Sequence, residues 1–405
     1  MSVSRRGFVR TLTGYPRTPS AMALMIGARG REDWAAAELT EFDAQQSGAT
    51  QAGRRGRGNR PEAPPNSIRL SSNENPLGPS QAALAAAEKA FQFAGRYPMN
   101  AQPAMNDFRA LVAKKNGLQN DQVALGSGSG EILDGAVRAF TSAEKGLVTG
   151  LPSYEDPAGK AKQLKSGLKE IPVDAAGKLD IEKMIAASTG AGLVFLCNPN
   201  NPTATAHGSQ VISDAVARIT KASPDTVILI DEAYHDYVTD PSYATAVPLI
   251  AQYKNVLVAR TMSKAHGMAG LRLGYVMGQA EVVARLDNWL MPYNVNAMAV
   301  GAATVSLADD AQLAREKARN TEAKKFTVDF FKSAGYEATD SQTNFIFVKL
   351  GKPAKDFRDA CTVKGILVGR DFPPMEKTHC RISIGTMEEM QKAVDVFKSV
   401  LGAKA

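Results

Sequence analysis

The chain has 405 residues, 44% of them hydrophobic and 22% charged, long enough for two domains and ordinary for a soluble globular protein. Its net charge of +7 leans on the arginine-rich first 60 residues, and a basic tail is not the patterned basic face of a nucleic-acid binder. Three widely spaced cysteines, Cys197, Cys361 and Cys380, make neither a disulfide framework nor a zinc site, and no apolar run reaches membrane-spanning length.

The opening Ser4-Arg5-Arg6-Gly7-Phe8-Val9 resembles a twin-arginine export signal, a receptor-read address. Arg10, Pro16 and Arg17 interrupt the apolar region and leave only residues 21–26, so the alternative is a basic leader with a chance arginine pair. A working signal implies the periplasm; otherwise the cytoplasm is expected. Residues 34–65 mix Ala, Gln, Gly and Arg without periodicity and read as a flexible linker. Leader and linker together, residues 1–65, are set apart from the fold.

Residues 68–70 form a short apolar patch, and Ser72-Asn73-Glu74-Asn75-Pro76-Leu77-Gly78-Pro79 follows with two turn signals. Residues 81–93 and 106–116 read as helices, the second stopped at Gly117. Strand 123–125 runs into Gly126-Ser127-Gly128-Ser129-Gly130-Glu131 and then into a helix at 132–140. A glycine-rich turn at a helix start offers free N–H groups and a positive dipole end to an anion, and Ser129 adds a hydroxyl.

The next strand, 146–148, ends near Tyr154, which either caps the core or stacks on a flat ring. Strand and helix alternate through 169–173, 181–187 and 192–196. Cys197-Asn198-Pro199-Asn200-Asn201-Pro202-Thr203 then makes a stiff turn at a strand's carboxyl end. Ligands bind there in open α/β sheets, so Asn201 serves either a ligand oxygen or the turn alone.

The β-branched run 226–230 is a strand buried on both faces, and it ends in Asp231-Glu232-Ala233-Tyr234. A carboxylate there needs a cation: either a structural ion-pair partner or a protonated pyridine nitrogen. Strands 255–259 and 273–277 flank Thr261-Met262-Ser263-Lys264 and Arg272. Lys264 is either an exposed loop lysine or a Schiff-base lysine, whose amine gains nucleophilicity from a desolvated or cation-rich pocket. An aldehyde-bonding lysine beside hydroxyls and an arginine that suit a phosphate suggests pyridoxal phosphate.

Residues 281–290 read as a helix, 299–335 as a long helix with an interruption, and 336–339 and 345–350 as strands. A helix at 355–364, a strand at 366–368, a strand at 381–384 and a helix at 388–401 complete an α+β lobe.

Taken together, Asn73-Glu74-Asn75-Pro76, Arg96-Tyr97-Pro98, residues 126–131, 198–203 and 231–234, Ser263-Lys264 with Arg272, and Arg381-Ile382-Ser383-Ile384-Gly385-Thr386 resemble the fold-type I pyridoxal-phosphate aminotransferases, in the histidinol-phosphate aminotransferase branch. The resemblance spans Leu70 to the C-terminus. It implies an α/β fold: a large domain, 96–297, with a mostly parallel seven-stranded sheet flanked by helices, and a small α+β domain, 298–405, to which an N-terminal arm, 66–95, contributes.

The resemblance also implies roles. Lys264 would form the internal aldimine and carry the proton between substrate Cα and cofactor. Asp231 would pair with the pyridine nitrogen, Asn201 and Tyr234 would hold the ring hydroxyl, and Tyr154 would stack on the ring. Ser129, Gly130, Ser263 and Arg272 would hold the phosphate, with Tyr97 reaching the phosphate of a partner subunit. Arg381 would take the substrate α-carboxylate, with Asn75 and Arg370 on the substrate side. The implied activity is two-step transamination between an L-amino acid, or a histidinol-phosphate-like amine, and a 2-oxo acid. The alternative is a decarboxylase, lyase or amino-acid oxidase or cyclase on the same site. The implied assembly is a homodimer with shared sites, with no nucleic acid, membrane or metal. Gly130, His266 and Leu77 depart from the residues usual at those places.

Overall fold

The computed structural model describes residues 61–402, so the twin-arginine reading lies outside the described residues. A short strand β1 (Ile68–Leu70) comes first. Strands β2 (Val123–Gly126), β3 (Leu147–Leu151), β4 (Leu168–Pro172), β5 (Leu193–Cys197), β6 (Val227–Asp231), β7 (Val256–Thr261) and β8 (Gly274–Gly278) then form one sheet in the order β2-β8-β7-β6-β5-β3-β4. Only β8 runs against its neighbours. The expected seven-stranded, mostly parallel sheet is present.

Side chains alternate across the inner strands. Val194, Leu196, Ile228, Ile230, Val256 and Val258 enter one core layer, while Leu193, Phe195, Val227, Leu229 and Leu257 enter the other. A strand buried on both faces therefore reads as an unbroken apolar run. Each fully buried Val, Leu or Ile contributes about 1.5–3 kcal/mol.

The helices before the small lobe are α1 (Gln81–Ala90), α2 (Met105–Lys115), α3 (Ser129–Phe140), α4 (Asp156–Leu164), α5 (Ile181–Ala187), α6 (Ser209–Ala222), α7 (Ala280–Asp287) and α8 (Ala297–Ala308). α3 and α7 cover the second layer with Ile132, Leu133, Val137, Val283 and Leu286, and α6 covers the first with Ile212, Val216 and Ile219. The sequence reading assigns no element to α4 or α6. α4 buries only Pro157, Ala158 and Ala161, so its apolar stripe is thin. The first helix is shorter than expected, because residues Phe91–Phe93 tighten into a 3₁₀ turn.

The long helix breaks at Asp309, whose side chain accepts from Gln312 N at 2.9 Å and starts α9 (Asp310–Ser333). Beyond it lie β9 (Glu337–Ala338), β10 (Phe345–Lys349), α10 (Ala354–Val363), β11 (Ile366–Val368), β12 (His379–Ser383) and α11 (Met387–Leu401). β12-β10-β9 form an antiparallel sheet, and β1 pairs with β11 in parallel. Phe331, Phe357, Phe397, Ile346 and Ile382 build their core. α1 and α8 instead pack into the first layer of the large sheet, Gly301 letting the helices approach. The sequence reading placed α1 in the arm and α8 in the small domain. Among the described residues no helix is long and apolar enough to cross a membrane.

Candidate active site

The carboxyl ends of β2, β3, β5, β6 and β7 share one edge of the large sheet, and the chemistry-bearing residues gather there. Asp231 ends β6 and is 4% exposed. Its Oδ1 accepts from Ala233 N at 3.2 Å, and Cys197 Sγ stands 4.0 Å from Oδ2. Burial pushes its pKa up to about 7; the Ala233 N–H opposes the rise, the neighbouring Glu232 charge adds to it and Lys264 opposes it. The adjacent Glu232 is fully occupied by Arg260, Thr245 Oγ1 and the Ala246 N–H. Of the two acids in sequence, only Asp231 lacks a cation bonded to it among the described residues.

Lys264 lies in the loop after β7 and is half-buried. Its Nζ is 5.7 Å from the centre of the Tyr234 ring and makes a long 3.4 Å contact with Ser72 O. Its pKa falls to about 8, first by burial, then by the charge of Arg381. A fraction of the amine is thus neutral at physiological pH, as a nucleophile requires.

Tyr234 is buried edge-on to Phe345 at 5.1 Å, and its hydroxyl oxygen accepts from Asn73 Nδ2 at 3.1 Å. Burial pushes its pKa up. Asn201 Oδ1 accepts from Arg381 Nη1 at 2.8 Å, and Arg381 Nη2 donates to Ser71 O at 2.6 Å. Arg381 Nε is buried without a partner among the described residues, and the Phe345 and Phe372 ring centres lie 5.5 Å and 4.6 Å from the guanidinium carbon. Burial, then the charge of Arg370, lowers its pKa to about 10.

A second cluster forms the cradle. Gly128 caps α3 with φ +75°, and a Cβ there would stand 2.3 Å from Arg272 Nη2. No side chain caps the first turn of α3, which leaves the Ser129 and Gly130 end of the helix open. Arg272, also at positive φ, donates from Nη1 to Ala269 O at 2.9 Å and to Ser263 Oγ at 3.4 Å. Ser263 Oγ accepts from Thr261 Oγ1 at 3.0 Å.

The remaining expected residues sit differently. Tyr154 is half-buried and donates to Asp156 Oδ2 at 2.6 Å. Asn75 bonds within the loop, donating to Ala265 O at 3.0 Å and accepting from Leu77 N at 2.9 Å. Arg370 pairs with Glu155 and lies 4.3 Å over Phe372, which it shares with Arg381. Tyr97 is 64% exposed and rests on Tyr293 at 4.8 Å, outside the cluster around Lys264. Asn73, Phe345, Phe372 and Ser383 also line the site, and apart from Asn73 no local sequence signal marks them. Asn73 carries the one available signal: an Asn before Glu-Asn-Pro, a residue type that tolerates the positive φ of 56° found there.

Pyridoxal phosphate fits these residues. The cradle offers a helix start, a hydroxyl and a guanidinium to a phosphate. The uncompensated Asp231 carboxylate suits a protonated ring nitrogen, and Lys264 suits an aldehyde.

The comparisons agree. The family described as aminotransferase class I and II matches residues 65–397. The histidinol-phosphate aminotransferase of Limosilactobacillus fermentum is 36% identical over 325 residues, 79% of this chain and 87% of the relative. That of Symbiobacterium thermophilum is 33% identical over 336 residues, covering 83% and 91%. The histidinol-phosphate aminotransferase of Sinorhizobium meliloti, solved in complex with pyridoxal-5'-phosphate, superposes with a TM-score of 0.75 at 26% identity, covering 84% of this chain and 92% of that one. The chain belongs to the class I and II aminotransferases, and its cofactor is pyridoxal phosphate.

Proposed function

We propose that the amino donor is a small amine that carries an anionic group within reach of Arg381: an L-amino acid, or an amino-alcohol phosphate of the histidinol-phosphate kind named for the relatives. The acceptor is a 2-oxo acid. The observation that carries this reading is the buried, unpartnered Nε of Arg381 beside Asn201, between two aromatic rings. A guanidinium with a donor left over in a desolvated site favours a planar or tetrahedral anion.

Bound pyridoxal phosphate supplies the electron sink for the pair left on substrate Cα. The chain's residues do the rest. Lys264 Nζ takes the Cα proton and returns it on the other side of the exchange. Asp231 would hold the proton on the ring nitrogen, Asn201 and Tyr234 would bond the ring hydroxyl, and Tyr154 would stack on the ring. Ser129, Gly130, Ser263 and Arg272 would hold the phosphate. Asn75 holds the lysine loop, and Arg370 stands at the outer, substrate side of Arg381.

An absorbance titration of purified protein with anionic, aromatic and basic amino acids and histidinol phosphate tests the reading. Loss of the visible cofactor band with anion-bearing amines, and a keto product only when acceptor is added, is the expected result. Carbon dioxide or peroxide release without acceptor would overturn it. Arg381→Ala is expected to weaken apparent donor affinity by about 100-fold, in line with a lost charge-assisted pair of roughly 3 kcal/mol; an unaltered KM across the panel would place the anion elsewhere.

Gly128→Ala is expected to weaken cofactor binding on the order of 10-fold or more. The added Cβ displaces Arg272, and the positive φ strains alanine by about 1–2 kcal/mol. A cofactor Kd equal to that of the parent would remove the cradle from the account.

Exposed Leu77, Phe91, Tyr97, Met99, Met291 and Tyr293 support a homodimer in which Tyr97 reaches the partner's cofactor phosphate. A monomeric mass by light scattering would refute that assembly. The arginine pair Arg5-Arg6 supports twin-arginine export, a route that carries folded protein; retention in the cytoplasm on cell fractionation would end that reading.

A further inference from the structure

Three successive residues between β1 and α1 grip three different site residues. Ser71 O accepts from Arg381 Nη2 at 2.6 Å, Ser72 O contacts Lys264 Nζ at 3.4 Å, and Asn73 Nδ2 donates to the Tyr234 hydroxyl oxygen at 3.1 Å. Asn73 is 1% exposed, and each of its polar groups is used. Its N–H donates to Ser383 Oγ at 2.9 Å, its Oδ1 accepts from that same Oγ at 2.8 Å, and its carbonyl accepts from Asn344 Nδ2 at 3.1 Å.

In the structure Ser383 Oγ accepts from the Asn73 backbone N–H and donates to Oδ1, and Nδ2 faces Tyr234. The Tyr234 oxygen is then an acceptor on that side. Its own proton finds no acceptor among the described residues and is available to a ligand oxygen.

We propose that Asn73 is a positioning residue that turns the Tyr234 proton toward the ring oxygen of the cofactor. The inference rests on the placement of Tyr234 beside that oxygen given above. A hydroxyl that donates to the ring oxygen favours its ionised form and lowers the pH at which the visible band of the bound cofactor changes. Ser383 lies two residues beyond Arg381 on β12, so the strand that receives the substrate anion also holds the amide that aims Tyr234.

The test is a pH titration of the bound cofactor's absorbance in four proteins: the parent, Asn73→Asp, Tyr234→Phe and the double variant. Aspartate keeps the shape, the Ser383 bond and the tolerance of positive φ, but it draws the Tyr234 proton toward itself. In the parent background the midpoint is expected to rise by about one pH unit, a tenfold effect. In the Tyr234→Phe background only the smaller effect of the added charge should remain. Arg381, Lys264, Asp231, Cys197 and Tyr154, the other titratable groups that face Tyr234, are the same in all four proteins. Equal shifts in the two backgrounds would overturn the proposal. If Asn73→Asp does not fold, Asn73→Gly adds no charge and suits the backbone. It is expected to raise the midpoint less in the parent and not at all beside Tyr234→Phe, and no shift in the parent would again overturn the proposal. A parent that binds the cofactor without any pH-dependent visible band would instead strike at the lysine assignment beneath it.

Discussion

Lys264→Ala is expected to lower transamination on the order of 10⁴-fold or more, because in the proposed site one amine both anchors the cofactor and carries the Cα proton. The visible absorbance of the protein–cofactor bond should vanish with it, while added cofactor can still occupy the cradle. Retained transamination would refute the assignment. The same substitution bears on stability. The amine has its pKa lowered from its ordinary value to about 8, so between roughly pH 8 and 10.5 the folded chain binds fewer protons than the unfolded one. The folded state is therefore penalised most below pH 8, and the penalty fades as pH rises toward 10.5. With cofactor removed, Lys264→Ala should melt no lower than the parent at pH 7. Any advantage it shows there should shrink by pH 10, which differential scanning calorimetry at the two pH values checks.

Asp231→Asn is the second large effect, with a loss of turnover on the order of 10³-fold at preserved fold, because the amide cannot hold the proton on the ring nitrogen. Here the sign of the pH effect is reversed. Burial raises the carboxyl to about 7, so the folded protein without cofactor binds the proton more tightly than the unfolded chain. Its contribution is present in full below about pH 4 and is lost as pH rises through about 7. The cofactor-free Asn variant is expected to be more stable than the parent at pH 8 and to lose that advantage at pH 4. Turnover equal to that of the parent would show that the carboxylate does not serve the ring.

Stability and catalysis thus oppose each other at both positions, as expected where a protein holds charge out of water for use.

Much of this was legible in the sequence, because the inner strands and the site residues write themselves locally. The run 226–230 announces burial on both faces, and its terminal Asp231 has nowhere to send its charge. The turn at 126–131 carries its own glycine and helix start. What sequence reading could not supply lies in pairings between distant segments. The physical reason that Asp231 and not Glu232 is left without a cation is Arg260, which reaches Glu232 from the next strand. The reversed direction of β8 is not marked by any apolar pattern within β8. Asn73 meets Ser383 across 310 residues, and Asn75, read as substrate-facing, also bonds Ala265 and Leu77. The packing of α1 on α8 follows from small residues whose spacing resembles any alanine-rich helix.

The pairing of β1 with β11 has a consequence for biosynthesis. Ile68 aligns with Ile366 and Leu70 with Val368, so a strand near the start of the described chain finds its only partner near the end. During translation the large sheet can close over its two apolar layers while the first strand still waits unpaired. Nearly 300 residues must emerge before that edge is satisfied, a long loop to close and a slow event to reach. The arm that touches Lys264, Tyr234 and Arg381 is locked only then. The cradle residues Gly128, Ser129, Ser263 and Arg272 thus leave the ribosome well before Arg381 and Ser383, so the two halves of the proposed site are made at different times.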